Sequence, residues 1–379
     1  MPVDVDVLFL PDYRSGNPYQ EQLAEGLRAT GLRVTVANYP GRRFALLSLM
    51  LSHRSMCILH LHWVHPYMRR ILLARSPLRA RLAILVMVLD VLAVRLCGIK
   101  VLWTVHNLVS HECPDIRREQ TARRWLARVV NRLVFHSVEA CRTVEAYLAC
   151  SLECRAEVIP HGHYLHSYQS DTARERRWRQ RLGLADEDIV LLCFGYLRRY
   201  KAVGQLLEAF AASDDQRLRL VIAGEPFDPS IVEEIHAAAD RDPRIRLHLE
   251  FVSVADIAPL YGIAQAAILP AETALTSGSA ILAMSQGKAL LLSEQARAMT
   301  GLPPTPGLVC FDNQDGFRAR LRSLADMDLD AMGAANRLAI RVFDWNAIGV
   351  RTARIYRALE PVRMGALITG VRRTDQAIR

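Results

Sequence analysis

Short apolar runs rich in Val, Ile and Leu, separated by longer amphipathic segments, constrain this chain more than any other feature of it. The first series comprises Val5–Leu10, Leu32–Val36, Cys57–Leu61, Lys100–Val105, Leu133–His136 and Ala156–Ile159. A second comprises Ile189–Phe194, Leu218–Ala223, Ile245–Leu249, Ala267–Leu269, Ala289–Leu292 and Gly307–Phe311. Runs that are apolar throughout, not alternately, are expected of parallel strands buried on both faces, and the amphipathic segments supply the covering helices. Between the series, Ser167–Leu182 is rich in Arg, Glu and Asp and reads as a domain boundary followed by a solvated helix. With 379 residues the chain can build two cores. The expected fold is α/β: two Rossmann-like, doubly wound domains facing a cleft, residues 1–163 and 164–343, with the ligand where the C-terminal ends of the strands meet. Residues 344–361 keep Trp345, Ile348, Val350, Ala353, Ile355 and Tyr356 at helical spacing, which suits a helix packing across one or both domains. Residues 362–379 lack apolar periodicity and read as a flexible tail.

Composition narrows the partners. Apolar residues make up 51% and charged residues 23%, a balance that excludes a disordered or low-complexity chain. The 48 Lys and Arg outnumber the 39 Asp and Glu, so a phosphate-bearing partner is favoured: a nucleotide, a nucleic acid or an anionic membrane face. Nucleic-acid modules interleave aromatic and basic residues on one surface; with 7% aromatics and no such motif, no nucleic-acid partner is expected. The 8 cysteines are scattered and no cleavable signal opens the sequence, which points to a reducing cytoplasm. Cys150 and Cys154 have no second pair at zinc spacing, so no metal site is expected. The most hydrophobic stretch, Leu82–Leu89, lies between Arg81 and Asp90 and falls far short of the ~20 apolar residues that span a bilayer. Around it, Arg69, Arg70, Arg75, Arg79, Arg81, Arg95 and Lys100 stand against Asp90 alone. Such a basic segment either seats its arginines among anionic headgroups or is a core helix with a solvated basic face.

Four motifs carry candidate chemistry. In Cys193-Phe-Gly195-Tyr-Leu-Arg198-Arg-Tyr-Lys201 a strand ends at a glycine that permits close backbone approach, and Arg198 and Lys201 place positive charge where a diphosphate can sit; a basic surface loop is the plainer alternative. Glu272, Thr276, Ser277, Gly278 and Ser279 lie in a hydroxyl- and glycine-rich turn before a helix, which is either an anion site at the helix N-terminus or an ordinary cap. His60-Leu-His62-Trp63-Val-His65 and Thr104-Val-His106-Asn107, with His111-Glu112, end two strands of the first series, where imidazoles and a carboxylate can act as base or bind sugar hydroxyls. Pro160-His161-Gly162-His163-Tyr164 suits a hinge facing the cleft, or is merely a linker turn.

The order of these motifs, with Asn17-Pro18-Tyr19 before the first helix, resembles a GT-B glycosyltransferase, and most nearly the GDP-mannose:glycolipid 4-β-D-mannosyltransferases of bacterial exopolysaccharide assembly. The resemblance spans about residues 5–360. It implies an N-terminal acceptor-binding domain, a C-terminal nucleotide-sugar-binding domain, GDP-mannose as donor and a lipid-linked glycan as acceptor. It further implies inversion at the anomeric carbon. The paired donor-binding glutamates of many related GT-B enzymes fall here at Ala274 and Leu282, which speaks against a retaining assignment. Arg199 stands where the nearer family tends to have Pro, and Ala202 where it tends to have Gly.

On this reading Arg198, Lys201, Ser277, Gly278 and Gly195 hold the leaving diphosphate without a metal or other cofactor, and His106, Glu112 or His62 deprotonates the acceptor. Asn17, Tyr19, Trp63, Asn107, His111, His161, His163, Glu272, Thr276 and Ser279 line the donor or acceptor cleft. The basic segment would hold the enzyme on the inner face of the cell membrane, beside its acceptor. The alternatives are a retaining GT-B enzyme with another donor and a small acceptor, and an inactive GT-B binding protein. A dinucleotide-binding oxidoreductase is disfavoured, because Leu8–Gly16 offers one glycine where three would cradle a pyrophosphate.

Overall fold

The computed structural model describes residues 5–110, 113–271 and 275–360. It divides into two compact units, one running to Gly162 and resuming at Asp344, the other comprising His163–Phe343. The stretch from residue 362, read as a tail, lies outside the described residues.

The first unit holds β1 (Asp6–Leu10), β2 (Arg33–Val36), β3 (Met56–Leu61), β4 (Lys100–Thr104), β5 (Arg132–Phe135) and β6 (Ala156–Val158) in the order β2-β1-β3-β4-β5-β6. The second holds β7 (Ile189–Phe194), β8 (Leu218–Ala223), β9 (Ile245–His248), β10 (Ala266–Leu269), β11 (Ala289–Ser293) and β12 (Leu308–Phe311) in the order β12-β11-β10-β7-β8-β9. Every pairing is parallel. All six residues of β3 are buried, as two-sided helix cover requires. Each sheet reverses its strand order once, between β1 and β3 and between β7 and β10. Loops that leave strand C-termini at such a reversal have no helix directly above them, which is why ligands bind there in open α/β sheets.

The helix Trp345–Ala358 belongs to the first unit, packed against Tyr19–Arg28. Glycine allows that approach: a Cβ on Gly349 would stand 2.4 Å from the Gly26 carbonyl carbon. The Tyr356 hydroxyl meets His60 Nδ1 in the sheet at 2.5 Å. The helix Pro77–Leu96 starts on Ser76, whose hydroxyl accepts from the Arg79 amide, with Pro77 in the first turn. It buries Ala80, Ile84, Met87, Val91 and Val94. No helix among the described residues is long and apolar enough to cross a membrane.

Candidate active site

In the second unit the sequence C-terminal to β7 folds back on itself. Gly195 has φ +108° and Gly224 φ +139°, and a Cβ on Gly224 would lie 2.3 Å from the Gly195 carbonyl oxygen, so the turns after β7 and β8 pack backbone on backbone. Leu197 donates to the Glu225 carbonyl at 2.9 Å and accepts from Phe227 at 3.0 Å, continuing that contact. The chain then makes a single helical turn, Arg199–Lys201, and enters the helix Val203–Ala211 through Ala202 at φ +53°. This turn carries Lys201 back over the strand end: a Cβ on Gly195 would stand 3.0 Å from Lys201 Nζ and 3.8 Å from Ser279 Oγ. The absence of a side chain at Gly195 therefore leaves a small space bordered by an ammonium and a hydroxyl. Burial, with Arg198 nearby, holds the Lys201 ammonium below its usual pKa, partly offset by Cys193.

Arg198 lays its guanidinium over the Phe227 ring, 4.1 Å from the centroid. Its neighbour Arg199 faces elsewhere, paired with Asp228 at 2.6 Å and bonded to Ser230 at 2.6 Å. Ser277 Oγ accepts from the Ala280 amide at 3.1 Å, and its own amide donates to Thr300 Oγ1 at 3.0 Å, so this hydroxyl is the cap of the helix Gly278–Ser285. A hydroxyl that accepts this cap bond keeps its own O–H to donate to an anion, and the helix N-terminus faces the Gly195 region through Ser279. At Gly278 a Cβ would find, among the described residues, only Tyr164 Oη, 3.8 Å away. Thr276 Oγ1 is buried with no hydrogen-bond partner among the described residues. His163 is in this unit, its amide donating to the Phe343 carbonyl at 3.0 Å. Glu272 lies outside the described residues.

In the first unit Tyr19 is the hub. Its ring centroid lies 4.9 Å from that of His106, 4.8 Å from His161, 5.6 Å from His62 and 5.7 Å from His136. Trp63 stacks on His106 at 4.5 Å and 13°. Asn17 accepts from the Tyr19 amide at 3.0 Å and so orients the start of that helix. The loop after β4 is held from below: Arg123 donates to the Asn107 carbonyl at 2.8 Å, and Glu119 accepts from the amide and hydroxyl of Ser110 and from Arg123. His111 and Glu112 lie outside the described residues.

His60 shares a face with His62, their rings stacked at 4.3 Å, yet both its nitrogens are engaged, by Tyr356 and by Thr104 Oγ1 at 2.7 Å, which makes it structural. Burial pulls His60 down to about 3, His136 to about 4 and His161 to about 3, and takes His62 and His106 well below the ordinary histidine value. All five imidazoles are therefore neutral at pH 7, the form that accepts a proton.

The structure thus gathers His62, His106, His161, Tyr19 and Trp63 in the first unit, and Gly195, Lys201 and Ser279 in the second. Sequence reasoning passed over His136, at the end of β5, and Phe227, the platform for Arg198. His136 carried a signal: His62, His106 and His136 each follow the last residues of consecutive members of one sheet. No group of three or more His, Cys, Asp or Glu able to hold a metal ion occurs among the described residues.

Residues 188–326 match the family described as "Glycosyl transferases group 1". Over 347 residues the chain is 28% identical to a GDP-mannose:glycolipid 4-beta-D-mannosyltransferase of Xanthomonas campestris pv. campestris, covering 90% of this chain and 88% of that one. Among solved structures it is similar to Anabaena HepE in complex with UDP and glucose, at 15% identity and a TM-score of 0.69 over 93% of this chain and 100% of that one. It is equally similar to sucrose-phosphate synthase from Thermosynechococcus elongatus, at 16% identity and a TM-score of 0.70 over 94% and 99% of the two chains. These structural likenesses establish the architecture, and the sequence matches add the chemistry. The chain is a glycosyltransferase of the GT-B fold, related to bacterial enzymes that use sugar nucleotides.

Proposed function

We propose that the enzyme moves mannose from GDP-mannose to a lipid-linked glycan, as an inverting, metal-independent step of surface polysaccharide assembly on the inner face of the cell membrane. The observation that carries the donor half is Lys201 folded over Gly195 beside Ser279, at the strand reversal of the second sheet. As the sugar departs, negative charge grows on the diphosphate; Lys201 and Arg198 meet it as cations and the N-terminus of Gly278–Ser285 as a dipole. An arriving diphosphate favours the charged ammonium that burial alone disfavours. The choice of donor and acceptor is supported by the likeness to the Xanthomonas GDP-mannose:glycolipid mannosyltransferase. Inversion needs a base on the acceptor hydroxyl, and the first unit offers His62 and His106 in their neutral form.

Membrane attachment is supported by the Pro77–Leu96 helix. Leu78, Leu82, Leu85, Leu89 and Leu96 are exposed, and with Leu92 they recur at alternating four- and three-residue steps along one side. Asp90, the one acidic residue of the helix, is instead fully buried, accepting from the Leu46 and Leu47 amides and from Tyr67. A leucine stripe flanked by Arg75, Arg79 and Arg81 suits an acyl boundary beneath anionic headgroups. Pairing with a second copy would instead bring like charges together.

Nucleotide release measured against GDP-, UDP- and dTDP-sugars, with a polyprenyl-diphosphate glycan as acceptor, tests the proposal. GDP-mannose should turn over fastest, and EDTA should leave the rate unchanged. Turnover of UDP- or dTDP-sugars alone, or of none, overturns the donor assignment.

A further inference from the structure

Three buried histidines form a chain that ends on a backbone carbonyl. His136 Nδ1 lies 2.9 Å from the Ile159 carbonyl oxygen, His136 Nε2 lies 3.3 Å from His106 Nδ1, and His106 Nε2 lies 3.4 Å from His62 Nδ1. A carbonyl oxygen only accepts, so His136 carries its hydrogen on Nδ1. A neutral imidazole has one N–H, which leaves His136 Nε2 as an acceptor and obliges His106 Nδ1 to donate. The same step repeated leaves His106 Nε2 accepting from His62 Nδ1. His62 Nε2 is then a bare lone pair, and it is buried with no partner among the described residues.

We propose that the Ile159 carbonyl, acting through His136 and His106, fixes His62 in the Nδ1–H tautomer and so makes His62 Nε2 the atom that takes the acceptor's hydroxyl proton. Both nitrogens of His106 are occupied within the chain, so the base is His62; His106 and His136 are positioning residues. This rests on the reading that the first unit deprotonates an acceptor during glycosyl transfer. In the step, the acceptor O–H bond breaks and its proton goes to His62 Nε2. The oxygen's electron pair forms the new bond to the anomeric carbon, and the bond from that carbon to the phosphate oxygen breaks, its electrons leaving with the nucleoside diphosphate. The His62 imidazolium keeps its Nδ1–H on His106 Nε2, which stabilises the cation as the buttressing acceptor of a catalytic histidine does. Water takes the proton once the product has gone. An unsatisfied buried acceptor is unfavourable by itself, and a substrate hydroxyl donating to His62 Nε2 removes that penalty.

Two variants separate this from a purely structural role. In His136→Gln the amide can donate to the Ile159 carbonyl and accept from His106 Nδ1, preserving the relay's direction; His136→Leu can do neither. We expect His136→Leu to lower kcat about 100-fold with donor KM within about twofold, and His136→Gln to stay within about fivefold of the wild type. Nitrogen-15 NMR of histidine-labelled wild-type protein should show His62, His106 and His136 all neutral and protonated on Nδ1 at neutral pH. Any of the three charged or protonated on Nε2, or equal kcat losses in the two variants with fold retained, overturns the proposal. A wild-type protein that shows these tautomers but transfers sugar to no lipid-linked acceptor overturns the functional reading instead, and with it the assignment of His62 as base.

Discussion

His60 Nδ1 and the Tyr356 hydroxyl, 296 positions apart in sequence, lie 2.5 Å from each other in the interior of the first unit. The contact fixes the C-terminal helix to β3 and occupies the one histidine of its strand end that has no chemistry left to do. Tyr356→Phe removes the partner of a buried polar atom and should destabilise the first unit by about 1–3 kcal/mol. Urea unfolding followed by tryptophan fluorescence reads this, and an unchanged midpoint would show the bond to be unimportant.

Lys201→Ala and Arg198→Ala should each lower turnover at least about 10-fold, because each removes positive charge from the leaving diphosphate. Arg199→Ala serves as the contrast, since its guanidinium is turned to Asp228 and Ser230. Near-normal kinetics for both Lys201→Ala and Arg198→Ala would remove the Gly195 region from the mechanism.

Ala202 sits at φ +53°, a conformation an alanine adopts only at a cost. Ala202→Gly should relieve it and stabilise the second unit by about 0.5–1 kcal/mol, after the greater freedom of glycine in the unfolded chain is counted. Differential scanning calorimetry tests this; a lowered Tm would refute it.

The buried histidines make stability depend on pH. His60, His136 and His161 titrate at about 3, 4 and 3 when folded, whereas unfolded histidines titrate near 6.5. Below that value the unfolded chain binds more protons than the folded one, so their contribution is complete above about pH 6.5 and is lost progressively as pH falls toward about 4. The Tm should therefore drop as the pH falls from about 6.5 toward about 4. A flat profile over that window would mean that these imidazoles reach solvent.

Liposome flotation decides the role of the Pro77–Leu96 helix. The enzyme should float with anionic vesicles at low salt, and changing Arg75, Arg79 and Arg81 to Glu should abolish this by reversing attraction worth about 1 kcal/mol per residue. Binding that survives the three substitutions, or no binding at all, leaves the helix a structural one.

Much of the architecture was legible in the sequence, because strands buried on both faces must be apolar throughout. Each of the twelve expected runs is a strand, with ends that agree to within one residue, as with Ile189–Phe194 and Leu218–Ala223. Strand order was not legible: nothing local to Leu133–His136 says that its end will abut that of Lys100–Val105, and without that neighbour relation His136 is one buried histidine among several. Ser277 illustrates a different limit. A serine before a helix can cap it, bind a ligand or do both, and the sequence does not show the direction of the hydroxyl, whose oxygen here accepts from the Ala280 amide at 3.1 Å. Ala202 was visible as a departure from the resembling family, but its meaning depends on a backbone angle.

The first unit is assembled from two separate stretches of the chain, one up to Gly162 and one from Asp344, whereas the second is continuous from His163 to Phe343. During translation the second unit can therefore close as soon as it clears the ribosome, while the first waits for Trp345–Ala358 to emerge before the seat for Tyr356 beside His60 and the crossing at Gly26 can be filled. Synthesis halted after Phe343 has emerged but before that helix has done so leaves a nascent chain with a finished second unit and an open first one, the form that chaperones and proteases are built to recognise.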